Sequence, residues 1–213
     1  MIARRAALAL LTLAPLLAAR RARAISAMTL TAADRADIAR IEAYLNAIHT
    51  LKARFEQIAP DGGDSHGTAW LDRPGKLRFE YDPPVPYLLV ANHGDVYFHD
   101  SQLGQTSEVA LGDTPLSIIL ASEIKLSGNI LITDITRVPG LIQVTVLRAE
   151  RWWQGSLSLA FNTDPLLLRQ WILLDEQRRE TRVSLSDIET GGHFPEALFE
   201  FKVTPPPPTG PKR

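Results

Sequence analysis

The chain has 213 residues, 23 basic and 24 acidic side chains and no cysteine. That length suits one domain with a substantial core, and the missing cysteine excludes a disulfide framework, a cysteine–zinc centre and a thiol nucleophile. The charge balance argues against nucleic acid or an anionic membrane surface as the main partner, since both need a basic footprint.

Residues 1–24 read as an export signal peptide. Arg4 and Arg5 precede an apolar run over 6–19, and Ala22-Arg23-Ala24 fits an A-x-A cleavage pattern. The run is short for a bilayer span and Pro15 interrupts it. Arginines at both ends leave the Sec and twin-arginine routes open. Without the five arginines of this segment, 18 basic side chains face 24 acidic ones, a net charge of −6. No other stretch is apolar enough to cross a membrane, and no cysteine is available to carry a lipid. The mature chain is therefore expected to be freely soluble, with one domain over 25–204.

The first mature element reads as a helix over 32–50. Thr31 can cap it, with Asp34 three residues on, and Ile38, Ile41, Leu45 and Ile48 form one apolar stripe suited to lying on a sheet. Short strands follow at 51–59, 68–72, 77–81, 87–92, 96–99, 130–138, 141–147, 156–161, 168–174, 182–188 and 198–203. Close turns separate them at Asp61-Gly-Gly63, Asn92-His-Gly-Asp95, Pro139-Gly140, Asn162-Thr-Asp-Pro165 and Gly191-Gly192, which predicts an antiparallel meander rather than parallel crossovers. In the strand 77–81, Leu77, Phe79 and Tyr81 share one face, and Arg78 and Glu80 the other. The segment 113–122 predicts a short helix, with Pro115 at its first position and Leu116, Ile118, Ile119 and Leu120 apolar on more than one side. Such a helix is either buried or closes over something apolar. The proline-rich end, 205–213, cannot pair within a sheet and predicts a loosely held tail.

Catalytic signals are weak. Gly63-Asp-Ser-His-Gly67 matches the G-x-S-x-G pattern of serine hydrolases, but the nucleophile needs a strand before it and a helix after it, and here a strand follows. A hairpin loop is the ordinary explanation, with a secreted esterase acting through Ser65 as the alternative. The five histidines form no metal-ligand spacing, and no glycine-rich loop supports nucleotide binding, so neither metal nor cofactor is expected. Asp95 with Asp100, and Glu176 with Glu180, fit a solvated face. Trp152 and Trp153 would point to opposite faces if they lay in a strand.

Taken in order, the amphipathic helix, Leu51-Lys-Ala-Arg-Phe-Glu-Gln57, Gly67 to Arg73-Pro74, Leu77-Arg-Phe-Glu-Tyr81, the Asn92-His-Gly-Asp95 turn, Thr114-Pro115 and Phe199-Glu-Phe201 resemble the LolA family of periplasmic lipoprotein carriers. The resemblance runs across nearly all the mature chain. It implies a mainly β fold with helices, a curved antiparallel unclosed half-barrel capped by a helical lid. Arg73 matches the family's arginine before proline, which implies a latch that hydrogen-bonds lid backbone groups and holds the empty carrier closed. The implied wall for acyl chains is Leu77, Phe79 and Tyr81 with Leu116, Ile118, Ile119 and Leu120. The implied partners are lipoprotein acyl chains, an inner-membrane lipoprotein-releasing ABC transporter and an outer-membrane lipoprotein acceptor, with the protein itself a non-catalytic periplasmic monomer. A periplasmic lipid or hydrophobic-ligand sensor on the same half-barrel is the related alternative.

Overall fold

The computed structural model describes residues 27–202. The expected export segment 1–24 and the proline-rich tail 205–213 lie outside them. Helix α1 (Ala32–Ala47) starts at a complete capping box. The Thr31 hydroxyl accepts from the Asp34 N–H at 3.1 Å, and the Asp34 carboxylate accepts from the Thr31 N–H at 2.8 Å. The stripe Ile38, Ile41, Leu45 and Ile48 is buried. The helix stops three residues short of the expected end, because Ile48 is already extended and strand β1 begins at Thr50.

The strands are β1 (Thr50–Ile58), β2 (Asp64–Asp72), β3 (Lys76–Tyr81), β4 (Tyr87–Asn92), β5 (Asp95–Asp100), β6 (Gln105–Ala110), β7 (Ile130–Val138), β8 (Leu141–Arg148), β9 (Ser156–Thr163), β10 (Leu166–Leu174) and β11 (Glu180–Thr190). They form one antiparallel sheet in the order β6-β5-β4-β3-β2-β1-β11-β10-β9-β8-β7. Strands β6 and β7 are its two edges, and the chain over 111–129 passes between them.

Four expectations are corrected. Strand β6 has no forerunner in the sequence reading, because all six of its residues are exposed and no apolar alternation marks it. The expected strand 198–203 does not exist: Glu196–Phe199 is a 3-10 turn whose chain crosses the outer face of the sheet. There Phe199 and Val90 are fully buried, and Asn92 Nδ2 donates to the Phe199 carbonyl at 3.1 Å. The expected helix 113–122 is instead two 3-10 turns, Leu111–Asp113 and Pro115–Ile118, followed by irregular chain. Strand β2 begins at Asp64, so the Gly63–Gly67 motif is strand rather than hairpin loop.

Curvature comes from two devices. Register shifts at Lys52/Arg54, Ile132/Asp134 and Leu168/Gln170 insert bulges, which bend a sheet locally. The inner face is also thinned along β2. Rows across β1, β2 and β3 read Leu51–Leu71–Leu77, Ala53–Ala69–Phe79 and Phe55–Gly67–Tyr81. The Phe55 ring lies over Gly67, where an added Cβ would stand 2.5 Å from that ring and 2.2 Å from the Glu80 carbonyl oxygen.

Gly67→Ala is therefore expected to destabilise the fold by about 1–3 kcal/mol, as overpacking does. Gly112→Ala, with open space around its Cβ, should stay within about 0.5 kcal/mol of the parent in denaturant unfolding. Asp34 supplies a pH test. It is 3% exposed, and hydrogen bonds from Thr31, aided by Arg137, lower its carboxyl from 3.8 to about 2. Because the folded value lies below the unfolded one, its contribution is complete above 3.8 and is lost as the pH falls toward about 2. Melting temperatures should fall across that window in the parent and less steeply in Asp34→Asn.

Candidate functional site

The antiparallel topology gives the half-barrel two unlike ends. One is capped by α1, the Arg73-Pro-Gly75 turn and the segment 119–126. The other carries the turns 59–63, 82–86, 101–104, 149–155 and 175–179, and is open.

At the closed end Arg73 is 8% exposed and has no carboxylate partner among the described residues. Its fork is filled by backbone carbonyls. Nε and Nη2 donate to Ile48 at 2.8 and 2.6 Å, Nη2 donates also to Leu45 at 2.8 Å and Asn46 at 3.4 Å, and Nη1 donates to Ala121 at 3.1 Å. Three of these carbonyls belong to the C-terminal end of α1, where the helix dipole is negative. Burial pushes the guanidinium below its ordinary value, but arginine starts so high that the charge persists at neutral pH. The same turn gives its backbone to this junction: the Arg73 N–H donates to His49 and the Gly75 N–H to Leu120, at 2.8 and 2.9 Å.

Two polar side chains that the sequence reading missed complete the closure. Asn46 donates to the Ile124 carbonyl and accepts from the Ile124 N–H, both at 2.9 Å. Glu42 accepts from the Leu126 N–H at 2.6 Å. Both residues sit on the polar side of an amphipathic pattern, so periodicity marks them only as solvent-facing.

Beneath this cap lies a cavity of about 230 Å³. Of the seven wall residues expected from the sequence, Leu77, Phe79, Tyr81 and Leu116 line it. Ile119 instead faces a void of about 30 Å³ beside Arg73. Ile118 and Leu120 are buried within the lid segment and line neither space. The rest of the cavity wall, including Leu89, Phe98, Trp171, Leu173 and Val183, comes from strands whose inward faces the sequence reading left unassigned. Phe55–Phe79 and Phe79–Trp171 contacts, at 4.6 and 5.9 Å between ring centres, stiffen it. The one deeply set hydroxyl of the wall, that of Tyr81, donates to Gln57 at 2.9 Å, and burial raises its pKa to about 12, so it stays neutral. A larger cleft, about 850 Å³, opens from the same region toward the open end and shares Leu89, Phe98, Leu116 and Leu173 with the cavity.

Ser65 lies within β2 opposite Gln57, without the strand-to-helix turn that a nucleophile elbow requires. His93 occupies a turn and His99 Nδ1 lies 3.0 Å from the Thr106 hydroxyl. Among the described residues no three His, Asp or Glu side chains group so as to hold a metal, and no helix is long and apolar enough to cross a membrane. Trp152 and Trp153 lie in a 3-10 segment, not a strand, and both are exposed.

An unclosed half-barrel whose apolar interior is capped at one end by backbone bonds and open at the other defines a container for apolar guests, and comparison with known proteins agrees with that class. Residues 46–202 match the model of a family described as outer membrane lipoprotein carrier protein LolA, and the chain belongs to that family. An outer-membrane lipoprotein carrier protein from Dechloromonas aromatica is 30% identical over 174 residues, covering 76% of this chain and 81% of the relative. One from Methylococcus capsulatus is 28% identical over 181 residues, covering 80% and 84%. The crystal structure of a LolA superfamily protein from Nitrosomonas europaea aligns with a TM-score of 0.43 at 9% identity, over 77% of this chain and 97% of that one.

The Asn46 pair generates a direct test of the cap. Asn46→Ala should remove both bonds to Ile124 and cost about 1–3 kcal/mol locally. Native-state hydrogen exchange of the Ile124 and Leu126 amides should accelerate at least tenfold while strand amides of β1 and β2 keep their protection.

Proposed function

We propose that this protein is a periplasmic carrier that sheathes the acyl chains of lipoproteins and moves them from the inner to the outer membrane without catalysis. The observation that carries this reading is the apolar cavity of the half-barrel, whose capped end is held by a buried arginine bonded only to backbone. An acyl chain of about 15 methylenes costs on the order of 12 kcal/mol to expose to water, at about 0.8 per methylene. A soluble sheath removes that cost during transit.

The cavity of about 230 Å³ is smaller than the 300–1,000 Å³ or so of an ordinary ligand site, so an acyl chain entering from the 850 Å³ cleft can fill the interior toward Arg73 only if the lid moves. Opening gives up the Arg73 bonds, each worth about 1 kcal/mol net, and replaces lid contacts on Leu77, Phe79, Tyr81 and Leu116 with lipid contacts. Ile118, Ile119 and Leu120 leave their closed positions and complete the wall. The cost of opening holds net affinity at a level that permits handover. Arg73 is the latch in this scheme because its one guanidinium ties the β2–β3 turn to both the end of α1 and the lid at Ala121. The donor is an inner-membrane ABC transporter that releases lipoproteins, and the acceptor is an outer-membrane lipoprotein. The names of the relatives support lipoprotein as the cargo.

A fluorescent fatty acyl probe tests the reading. The purified chain should bind it, and Leu116→Glu should weaken binding at least tenfold. Arg73→Leu should favour the open form and slow probe release at least tenfold. Normal release by Arg73→Leu would sink the latch, and a chain that binds no probe would sink the carrier. No hydrolysis of short acyl esters should be detected, with or without Ser65→Ala.

A further inference from the structure

The wall of the 230 Å³ cavity is hydrocarbon and aromatic except along one row. Gln57, Tyr81 and Thr181 bring an amide and two hydroxyls to it, and no lining residue carries a charge. Topology sets the three at one level: Gln57 is the last residue but one of β1, Tyr81 ends β3 and Thr181 is the second residue of β11, so all lie where their strands reach the open end. The Tyr81 hydroxyl donates to Gln57 at 2.9 Å. Gln57 pairs with Val183 across β1 and β11, and Thr181, two residues from Val183 on the same face, is its diagonal neighbour. Thr181 lines both the cavity and the 850 Å³ cleft, which puts the row at the threshold between them. We propose that this row is a subsite for the ester carbonyl of an acylated guest, and that it selects neutral acyl esters over acyl chains that end in an anion. The proposal rests on the carrier reading, since it assigns the head of a guest whose methylenes fill the cavity.

The hydrogen-bonding capacity of the row matches a carbonyl. A carboxamide has two N–H donors and one acceptor oxygen. Here the oxygen takes the Tyr81 proton, while the Gln57 N–H groups and the Thr181 hydroxyl have no protein partner among the described residues. Neither side chain is sealed away, because the one buried side-chain polar atom without a partner among those residues is Gln154 Oε1. What the apolar wall leaves unpaired is therefore donor capacity, open to whatever fills the cavity. A carbonyl oxygen accepts through two lone pairs and donates nothing, so it is the complement. Donation by Tyr81 into the amide oxygen polarises the amide and strengthens its N–H groups. Burial holds the phenol neutral, so the row presents no negative charge to a carbonyl.

The charges of the cleft work against an anionic head. Arg151 bonds Asp113 and Arg179 bonds Asp175, which leaves Glu108 and Glu176 unmatched among the charged residues that line it. A carboxylate or phosphate at the row would meet neutral donors, no free cation of the lining and an excess of acid in the same cleft. Burying a charge without a partner is costly; a neutral ester avoids that cost. The row also fixes depth. Strand β3 runs about 13 Å from Tyr81 to Leu77, so a chain whose carbonyl stops at the row lays its first methylenes along Phe79 and Leu77 toward Arg73.

The test uses three fluorescent probes of one chain length: a methyl ester, the matching methyl ether, and the free acid held well above its carboxylate pKa. The purified chain should bind the ester about fivefold more tightly than the ether, the effect of a neutral hydrogen bond or two, and on the order of tenfold or more tightly than the carboxylate. Gln57→Leu and Thr181→Val should each bring the ester-to-ether ratio toward unity, and Thr181→Ser should restore it. Because each ratio is taken within one variant, a general change in the cavity cancels. In the parent itself, the infrared carbonyl stretch of the bound, isotope-labelled ester should lie below its value in hydrocarbon. Equal binding of ester and ether, an unshifted carbonyl band, or a ratio that survives both substitutions overturns the subsite. Carboxylate bound as tightly as ester overturns the selection against anions. Each of these results leaves the carrier reading standing, whereas a parent that binds none of the three probes overturns that reading and the subsite with it.

Discussion

A guanidinium buried without a counter-ion organises the closed end of this molecule. Removing such a charge from water is costly unless its donors are filled, and Arg73 is filled by carbonyls at Leu45, Asn46, Ile48 and Ala121. The first three of those oxygens are available because α1 ends at Ala47, leaving carbonyls of its last turn free of the usual helical partners. The arrangement joins three pieces of chain that share no strand pairing: the helix end, the β2–β3 turn and the lid segment. A lysine carries only a single point of donation and could not span them. A carboxylate partner would have fixed the arginine to one place; carbonyls at a helix end bind it well yet leave each piece able to separate.

The inner face of the sheet obeys a complementary constraint. Where a sheet bends strongly its concave side chains converge, and large residues on every strand would collide. Small residues at Ala53, Gly67 and Ala69 lie between the rings of Phe55, Phe79 and Tyr81, so aromatic bulk is held at the wall while space remains in front of it. The outer face is closed differently, by Phe199 packed over Val90 and held by Asn92 and Arg78 through backbone carbonyls. The polar face of β3 thus meets chain rather than water alone. One face is filled and the other kept partly empty.

Much of this was legible from residue order. The capping box at Thr31 and the stripe from Ile38 to Ile48 specified α1, and alternation marked ten of the strands. Strand β6 was hidden because an exposed edge strand has no apolar face to betray it. The lid was misread because Leu116, Ile118, Ile119 and Leu120 suit a buried helix, while the structure spends the following carbonyls of Leu120 and Ala121 on the β2–β3 turn and no α-helix continues. Phe199 and Phe201 imitate a strand because a chain lying across a sheet also alternates inward and outward. Asn46, Glu42 and Trp171 entered the site only through tertiary contact, which a single sequence does not encode locally.

The segment over 111–129 has a double identity. It plugs the gap between the two free edges of the sheet, and it is also the only covalent bridge across that gap, from β6 to β7. A plug on a separate hinge could swing away and leave the barrel unchanged. Here, drawing the plug aside means paying out or taking in the tether between the two banks, so the width of the seam and the position of the lid are one mechanical variable.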